Sequence, residues 1–191
     1  MEKKVWIATS NAHKLEEFQE MLGADVEIKS FKDLKEPIDI VEDGKTFEEN
    51  ALIKARALYE RVHEPVFADD SGLEVDAMDK APGVYSARFM GEDTSYAIKN
   101  DFILRQVEGK TRTARYVCAI AYVDGSEERV YRGEVEGEIS EKPIGSNGFG
   151  YDPIFYYPPY QTTLANVSDE KKHAISHRGI ALRRFLEDQN Q

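Results

Sequence analysis

The segment Val66-Phe67-Ala68-Asp69-Asp70-Ser71-Gly72-Leu73 restricts this chain more than any other. An apolar run too short for a helix leads straight into two adjacent carboxylates. Beyond Gly72, Leu73, Val75 and Ala77 alternate with Glu74 and Asp76, the period of a half-buried strand. The spacing predicts that the acidic pair sits where one strand ends or kinks and another begins. Neighbouring side chains on extended backbone point to opposite faces, so only one of the two carboxylates can face a given pocket. Gly72 permits a bend or a close approach of backbone to a ligand. Pro82-Gly83 marks a turn further on. A solvated acidic turn would have the same local sequence, so the rest of the chain has to decide.

Upstream, residues 5–8 read as a buried strand that ends at Thr9-Ser10-Asn11. The pattern predicts a helix over 12–22, with Leu15, Phe18, Met21 and Leu22 on one face and Glu16, Glu17, Gln19 and Glu20 largely on the other. A strand that passes through small polar residues into a helix presents unpaired N–H groups and the positive end of the helix dipole. That is a seat for phosphate. Lys14, in the first turn, is poorly placed for the dipole and well placed to meet an anion. Residues 26–31 and 38–41 read as short strands. Thr46 with Glu49 forms a capping box that starts a helix running to about Val62. Glu42 lies on the loop before it, and Asn50 and Lys54 share one of its faces.

A helix over 95–107, a strand over 114–123, a turn at Asp124-Gly125 and a return strand over 128–139 follow. Glu134, Glu136 and Glu138 alternate with Val135, Gly137 and Ile139, as on an exposed strand face. Gly145-Ser146-Asn147-Gly148-Phe149-Gly150-Tyr151-Asp152-Pro153 frames an aromatic with glycines. Backbone can approach a flat ligand there, Phe149 can stack on a base, and Asp152 can accept from a ring N–H. Lys171-Lys172 and Ser176-His177-Arg178-Gly179 then precede a C-terminal helix, again with donors at a helix start.

At 191 residues the chain reads as one ordinary domain or a domain of two lobes, and its 41% apolar content suffices for a substantial core. Its net charge of -11 opposes a nucleic-acid polymer as partner, because that affinity depends on Lys and Arg meeting phosphates. One small anion in a locally basic pocket is compatible with it. Cys118, the single cysteine, sits in an apolar run and reads as an inert core thiol. The longest apolar run is too short to span a bilayer, and the N-terminus shows no cleavage-site pattern. No membrane partner and a cytoplasmic location are therefore expected. The acids, lysines and glycine-framed aromatic together suit a nucleoside triphosphate with Mg²⁺, which takes one or two carboxylates plus substrate phosphates.

Several segments, in this order, resemble the inosine triphosphate pyrophosphatase family, also called XTP/dITP diphosphatases. They are Thr9-Ser10-Asn11-Ala12-His13-Lys14, Thr46-Phe47-Glu48-Glu49-Asn50-Ala51, Ala68-Asp69-Asp70-Ser71-Gly72-Leu73, Ala81-Pro82-Gly83-Val84-Tyr85-Ser86-Ala87-Arg88, Gly148-Phe149-Gly150-Tyr151-Asp152-Pro153 and Ser176-His177-Arg178-Gly179. The resemblance runs from Val5 to Leu186. It implies an α/β fold with an elongated, twisted mixed sheet and flanking helices, a single domain over 1–191 of two lobes around a central cleft, and a homodimer. It also implies Mg²⁺-dependent hydrolysis of ITP, dITP and XTP to the monophosphate and pyrophosphate, which removes deaminated purines. By position, Thr9, Ser10, Asn11, Ala12, His13 and Lys14 resemble the triphosphate-binding segment. Glu42 and Asp70 match the metal-linked acids, Asp70 also matches the proton acceptor, and Ser71 matches a substrate contact. Phe149, Gly150, Tyr151 and Asp152, with Lys172, His177 and Arg178, match nucleotide-recognition positions. Ser10 departs from the glycine of many relatives, and its Cβ would crowd the phosphate if the backbone needed positive φ.

The mechanism this implies is attack of water at the α-phosphorus, with Asp70, or Asp69 through water, positioning or deprotonating it. Lys14, Lys54 and Lys172 would offset phosphate charge. Donors from His177, Arg178 or nearby backbone would pair with the C6 oxygen of hypoxanthine or xanthine. A Maf-like pyrophosphatase acting on modified pyrimidines or other nucleotides, a nucleotide-binding regulator without turnover, and a haloacid-dehalogenase phosphatase, whose DxDx[TV] pattern is missing, are the alternatives at this point.

Overall fold

The computed structural model describes residues 3–189. Met1, Glu2, Asn190 and Gln191, the ends of the expected domain, lie outside the described residues. β1 (Lys4–Ile7) buries Val5, Trp6 and Ile7 and leads through Thr9 and Ser10 to α1 (Ala12–Leu22). Asn11 caps that helix by accepting from the N–H groups of His13 at 2.9 Å and Lys14 at 3.2 Å. Phe18 and Leu22 are buried as their spacing predicts, but Glu17, expected on the polar face, is buried as well. β2 (Glu27–Lys29) runs parallel to β1. The second short strand expected over 38–41 does not form. Val41 there is 69% exposed, so its apolar residues do not find the burial that a strand face needs.

Thr46 starts α2 (Phe47–Val62) by accepting from the Glu49 N–H at 3.1 Å. Glu49 reaches back to the N–H of Lys45, one residue earlier than a capping box requires. β3 (Val66–Val75) runs unbroken through Asp69-Asp70-Ser71-Gly72, where a kink or strand end was expected. A parallel pairing to β1 holds its first half and an antiparallel pairing to β4 (Ala81–Pro82) its end, so the acidic pair has ladder support on both sides. α3 (Tyr96–Gln106), β5 (Thr113–Val123) and β6 (Glu128–Ile139) follow. Glu134, Glu136 and Glu138 alternate as exposed residues with buried neighbours on β6, as expected. β7 (Phe155–Tyr157), β8 (Thr162–Thr163), α4 (Asp169–Ile175) and α5 (His177–Gln189) complete the chain. Lys171 and Lys172 therefore lie within a helix of their own, capped by Ser168, and α5 begins two residues before Gly179.

Among the described residues the strands form one eight-stranded mixed sheet of order β2-β1-β3-β5-β6-β7-β8, with β4 against β3. Phe18, Leu22, Phe67, Cys118, Ile120, Ala181, Leu182 and Phe185 share a core, so α1 and α5 cover one face of it. Phe67 is its centre, 4.9 Å from the ring of Phe185 and 5.1 Å from that of Tyr122. Val66 and Ala68 point the other way by strand alternation and are also fully buried, so β3 is covered on both faces. Cys118 is a buried free thiol, as its surroundings suggested.

The chain divides into two compact units. The first comprises the chain up to Asp70, residues 118–133 and the chain from Arg178 on; the second comprises residues 71–117 and 134–177. Among the described residues no helix is long and apolar enough to cross a membrane.

Candidate active site

Each unit gathers a set of the residues singled out from sequence. In the first, Ser10, Asn11, Ala12 and His13 are exposed at the start of α1, and Lys14 is half-buried. The Asn11 cap occupies the N–H groups of His13 and Lys14, while Thr9 Oγ1 accepts from the Asn11 N–H at 3.1 Å. A phosphate at this turn would therefore rely on the helix dipole, Lys14 and whatever N–H groups the cap leaves. Ser10 is absent from the positive-φ residues, so its side chain adds no backbone strain.

Asp69 is 1% exposed and Asp70 7% exposed, and each faces its own set of partners. Lys14 Nζ lies 3.1 Å from Asp69 Oδ1, outside good hydrogen-bond alignment. Arg178 donates to Asp69 Oδ2 at 3.0 Å from Nε and also from its terminal nitrogen. The Cys118 thiol lies 3.7 Å from the same oxygen. Arg178 also donates to the carboxylate of the buried Glu17. Burial alone would raise the pKa of Asp69, but Lys14, Arg178 and Lys54 outweigh it and hold the carboxyl far below the usual range. Asp69 is thus a fixed anion that organises cations, and a poor proton acceptor.

Lys54 reaches up from α2 to the opposite side of the pair. Its ammonium donates to the Asp69 backbone carbonyl at 2.6 Å and lies 3.2 Å from Glu42 Oε1 and 3.8 Å from Asp70 Oδ1. Burial opposes its charge, but Asp69, Asp70 and Glu42 together raise its pKa. Asn50, one turn before Lys54, accepts from the Gly44 N–H at 2.8 Å and so ties the Glu42 loop to α2. Asn50 and Lys54 are both buried, which excludes a solvated helix side for them.

Asp70 behaves in the opposite way to Asp69. Burial, with Asp69 beside it, outweighs Lys54 and Lys14 and pushes its pKa up to about 6. Its Oδ2 is buried without a hydrogen-bond partner. An orphaned carboxylate oxygen costs about 1–3 kcal/mol or more unless something occupies it. With Glu42, which faces the same Lys54 ammonium, Asp70 fits a hard divalent cation that takes one or two carboxylates and completes its shell with phosphate and water. Among the described residues no group of three or more His, Cys, Asp or Glu is placed to hold a metal ion.

The second unit collects the aromatic group. Gly148 turns at φ +72°, and a Cβ there would lie 2.3 Å from Asp152 Oδ2. Only glycine allows the loop to fold back so that the Phe149 N–H donates to that oxygen at 3.1 Å. Lys172 Nζ donates to the same oxygen at 2.7 Å and lies 4.4 Å over the Phe149 ring. Tyr116 on β5 donates to Asp152 Oδ1 at 2.8 Å, and its ring stacks on His177, the first residue of α5. Tyr151 donates to the Ser86 carbonyl at 2.5 Å, and Asn100 donates to that of Gly150 at 3.3 Å, anchoring the loop. Ser71, on β3, is half-buried.

The structure therefore brings together Lys14, Glu42 and Asp70 in one unit and Phe149, Gly150, Tyr151, Asp152, Lys172 and His177 in the other. Arg178, read from sequence alongside His177, has its guanidinium on Asp69 and Glu17. Sequence reasoning missed Glu17 and Tyr116. Glu17 lies three residues after Lys14 on α1, a spacing that puts the two side by side, and that signal could have found it. Tyr116 heads the apolar run of β5 directly after Arg115, with nothing local to mark it.

The sequence profile of the Ham1 family matches residues 5–188. A dITP/XTP pyrophosphatase of Listeria monocytogenes is 44% identical over 190 residues, covering 97% of this chain and 94% of its own. One from Thermoanaerobacter pseudethanolicus is 47% identical over 183 residues, covering 94% of this chain and 92% of its own. Among solved structures, the Staphylococcus aureus Ham1 protein superposes with a TM-score of 0.88 at 40% identity, covering 97% of this chain and 99% of that one.

Proposed function

This chain belongs to the Ham1 family, and from that membership and its two residue clusters we propose that it is a Mg²⁺-dependent nucleoside triphosphate pyrophosphatase acting on ITP, dITP and XTP. The observation that carries the chemistry is the pair Asp69 and Asp70: Asp69 lies in ion pairs with Lys14 and Arg178, while Asp70, whose Oδ2 is buried without a hydrogen-bond partner, has its pKa pushed up to about 6. The triphosphate falls to the first cluster. Lys14 at the start of α1 and Lys54 offset its negative charge. Glu42 and Asp70 would hold the cation, which supplies charge neutralisation on the phosphates when bound.

Hydrolysis forms a bond from a water oxygen to the α-phosphorus and breaks the bond from that phosphorus to the bridging oxygen. Monophosphate and pyrophosphate leave, and the water gives up a proton. Asp70 is assigned both roles, one carboxylate oxygen toward the cation and the other orienting that water and accepting its proton. Asp69, with its carboxylate against Lys14 and Arg178, is not assigned this role. It instead fixes Lys14 and Arg178 in place.

The base falls to the second cluster. Hypoxanthine and xanthine carry an acceptor at C6 and an N–H at N1, whereas adenine carries a donor and a bare acceptor there. Asp152 suits the ring N–H, and Lys172 and His177 are the nearby donors for the oxygen. Leaving such buried groups unpaired supports discrimination of order 10⁴. We further assign the active form to a homodimer in the cytoplasm, with the whole chain as one domain and Phe149 as the stacking ring. A panel of ITP, XTP, GTP and ATP, with Mg²⁺ and EDTA arms and product analysis, tests the reading. ITP and XTP should release pyrophosphate with Mg²⁺ only. Release of orthophosphate, or equal rates on ATP, would refute it.

A further inference from the structure

We infer that Tyr116 is a positioning residue for base selection, holding Asp152 by its hydroxyl and His177 by its ring. The inference rests on the assignment of Asp152 and His177 to the nucleobase. Tyr116 is 6% exposed. Its ring lies 4.3 Å from Phe155 at an interplanar angle of 26°, and 4.8 Å from His177 at 16°. Phe155, fully buried on β7, backs the stack. The hydroxyl donates to Asp152 Oδ1 at 2.8 Å. Burial first, then the charge of Asp152, holds the phenol well above its usual pKa, so it stays a donor at neutral pH.

The donor count on Asp152 gives the hydroxyl its role. A carboxylate offers about four acceptor positions. Lys172 and the Phe149 N–H both use Oδ2, and Tyr116 uses Oδ1. A purine N1–H has to approach Oδ1, the less crowded oxygen, and Tyr116 fixes which way that oxygen's remaining lone pair points. The same ring sets the plane of His177. One residue thereby keeps an acceptor and a neighbouring donor in register with a flat base. A tyrosine that merely filled the core would need its ring and not its hydroxyl.

The test is steady-state kinetics of Tyr116→Phe, Asp152→Asn and the double variant on ITP, XTP and ATP. Tyr116→Phe keeps the stack and removes the donor. The expected result is a KM for ITP raised about 10-fold, the scale of a hydrogen bond to a charged group, with kcat nearly unchanged and the ITP-over-ATP preference lowered by a similar factor. The double variant should match Asp152→Asn alone, because the hydroxyl acts through that carboxylate. Unchanged KM and preference in Tyr116→Phe, or effects that multiply in the double variant, would overturn the inference. If Asp152→Asn itself leaves the preference intact, the assignment of the base to this cluster fails first and takes the inference with it. Should Tyr116→Phe not fold, Phe155→Leu, which loosens the stack from behind, should raise the KM for ITP with kcat held, and a folded variant with wild-type KM would refute the role.

Discussion

Asp69 and Asp70 are consecutive residues of one strand, and the protein drives their carboxyls in opposite directions. Asp69 is held far below the usual range, while Asp70 is pushed up to about 6. Strand alternation hands Asp69 to Lys14 and Arg178, whose charges outweigh its burial, whereas burial of Asp70 outweighs Lys54 and Lys14. Enzyme sites commonly separate paired carboxyls in this way, one as a fixed charge and one as a proton carrier.

Asp70→Asn should lower kcat by about 10²–10⁴, the scale of general acid–base catalysis, and at the same time stabilise the metal-free protein. A carboxyl whose folded pKa is raised contributes stability that is present below its unfolded pKa and is lost as the pH rises through about 6. Removing it should raise stability at pH 8 by about 1–3 kcal/mol and change little near pH 4. Thermal melts in EDTA at both pH values check this. Mg²⁺ should raise the melting temperature of the wild type more than that of the variant.

Asp69→Asn should destabilise the fold by about 3–5 kcal/mol, because the buried Arg178 would lose one of its two carboxylate partners, keeping Glu17, and the half-buried Lys14 would lose the charge it faces. The sign with pH is opposite to that of Asp70. A depressed folded pKa contributes stability that is present above the unfolded value near 4 and is lost as the pH falls towards the folded one. Urea unfolding from pH 7 down to pH 3 should show wild type and variant converging in acid.

Glu17→Gln should raise the KM for ITP several-fold by loosening Arg178, and with it Asp69 and Lys14. Kinetics and urea unfolding together check this. A stability loss of about 1–3 kcal/mol is expected for a weakened buried ion pair, larger in Glu17→Ala.

Gly148→Ala should weaken nucleotide binding without touching the phosphate cluster. Its Cβ would strike the Asp152 carboxylate, and its φ of +72° is strained for alanine. Calorimetric titration with inosine monophosphate should show at least about 10-fold weaker binding, while Mg²⁺ affinity stays the same.

Much of the architecture was legible because strand and helix periods are local properties: α1, α2 and the β5–β6 hairpin follow from spacing and caps. What was not legible depended on distant partners. Nothing near Ile38 or Val41 says that no burying face awaits them, and nothing at Glu17 says that Arg178 will reach it across the sequence. The unbroken course of β3 was hidden for the same reason. Gly72 and two carboxylates read as a break, and only the pairings to β1 and β4 keep that stretch extended. Lys14 and Asp70 could be picked out by their chemistry, whereas Tyr116 matters for what it touches and has no signature of its own.

The most direct test is product analysis of ITP hydrolysis in ¹⁸O-labelled water. The account predicts pyrophosphate free of label and inosine monophosphate carrying one labelled oxygen, formed only with Mg²⁺ and slowed at least about 10²-fold in Asp70→Asn. Label in pyrophosphate, release of orthophosphate, or full activity in Asp70→Asn would contradict it.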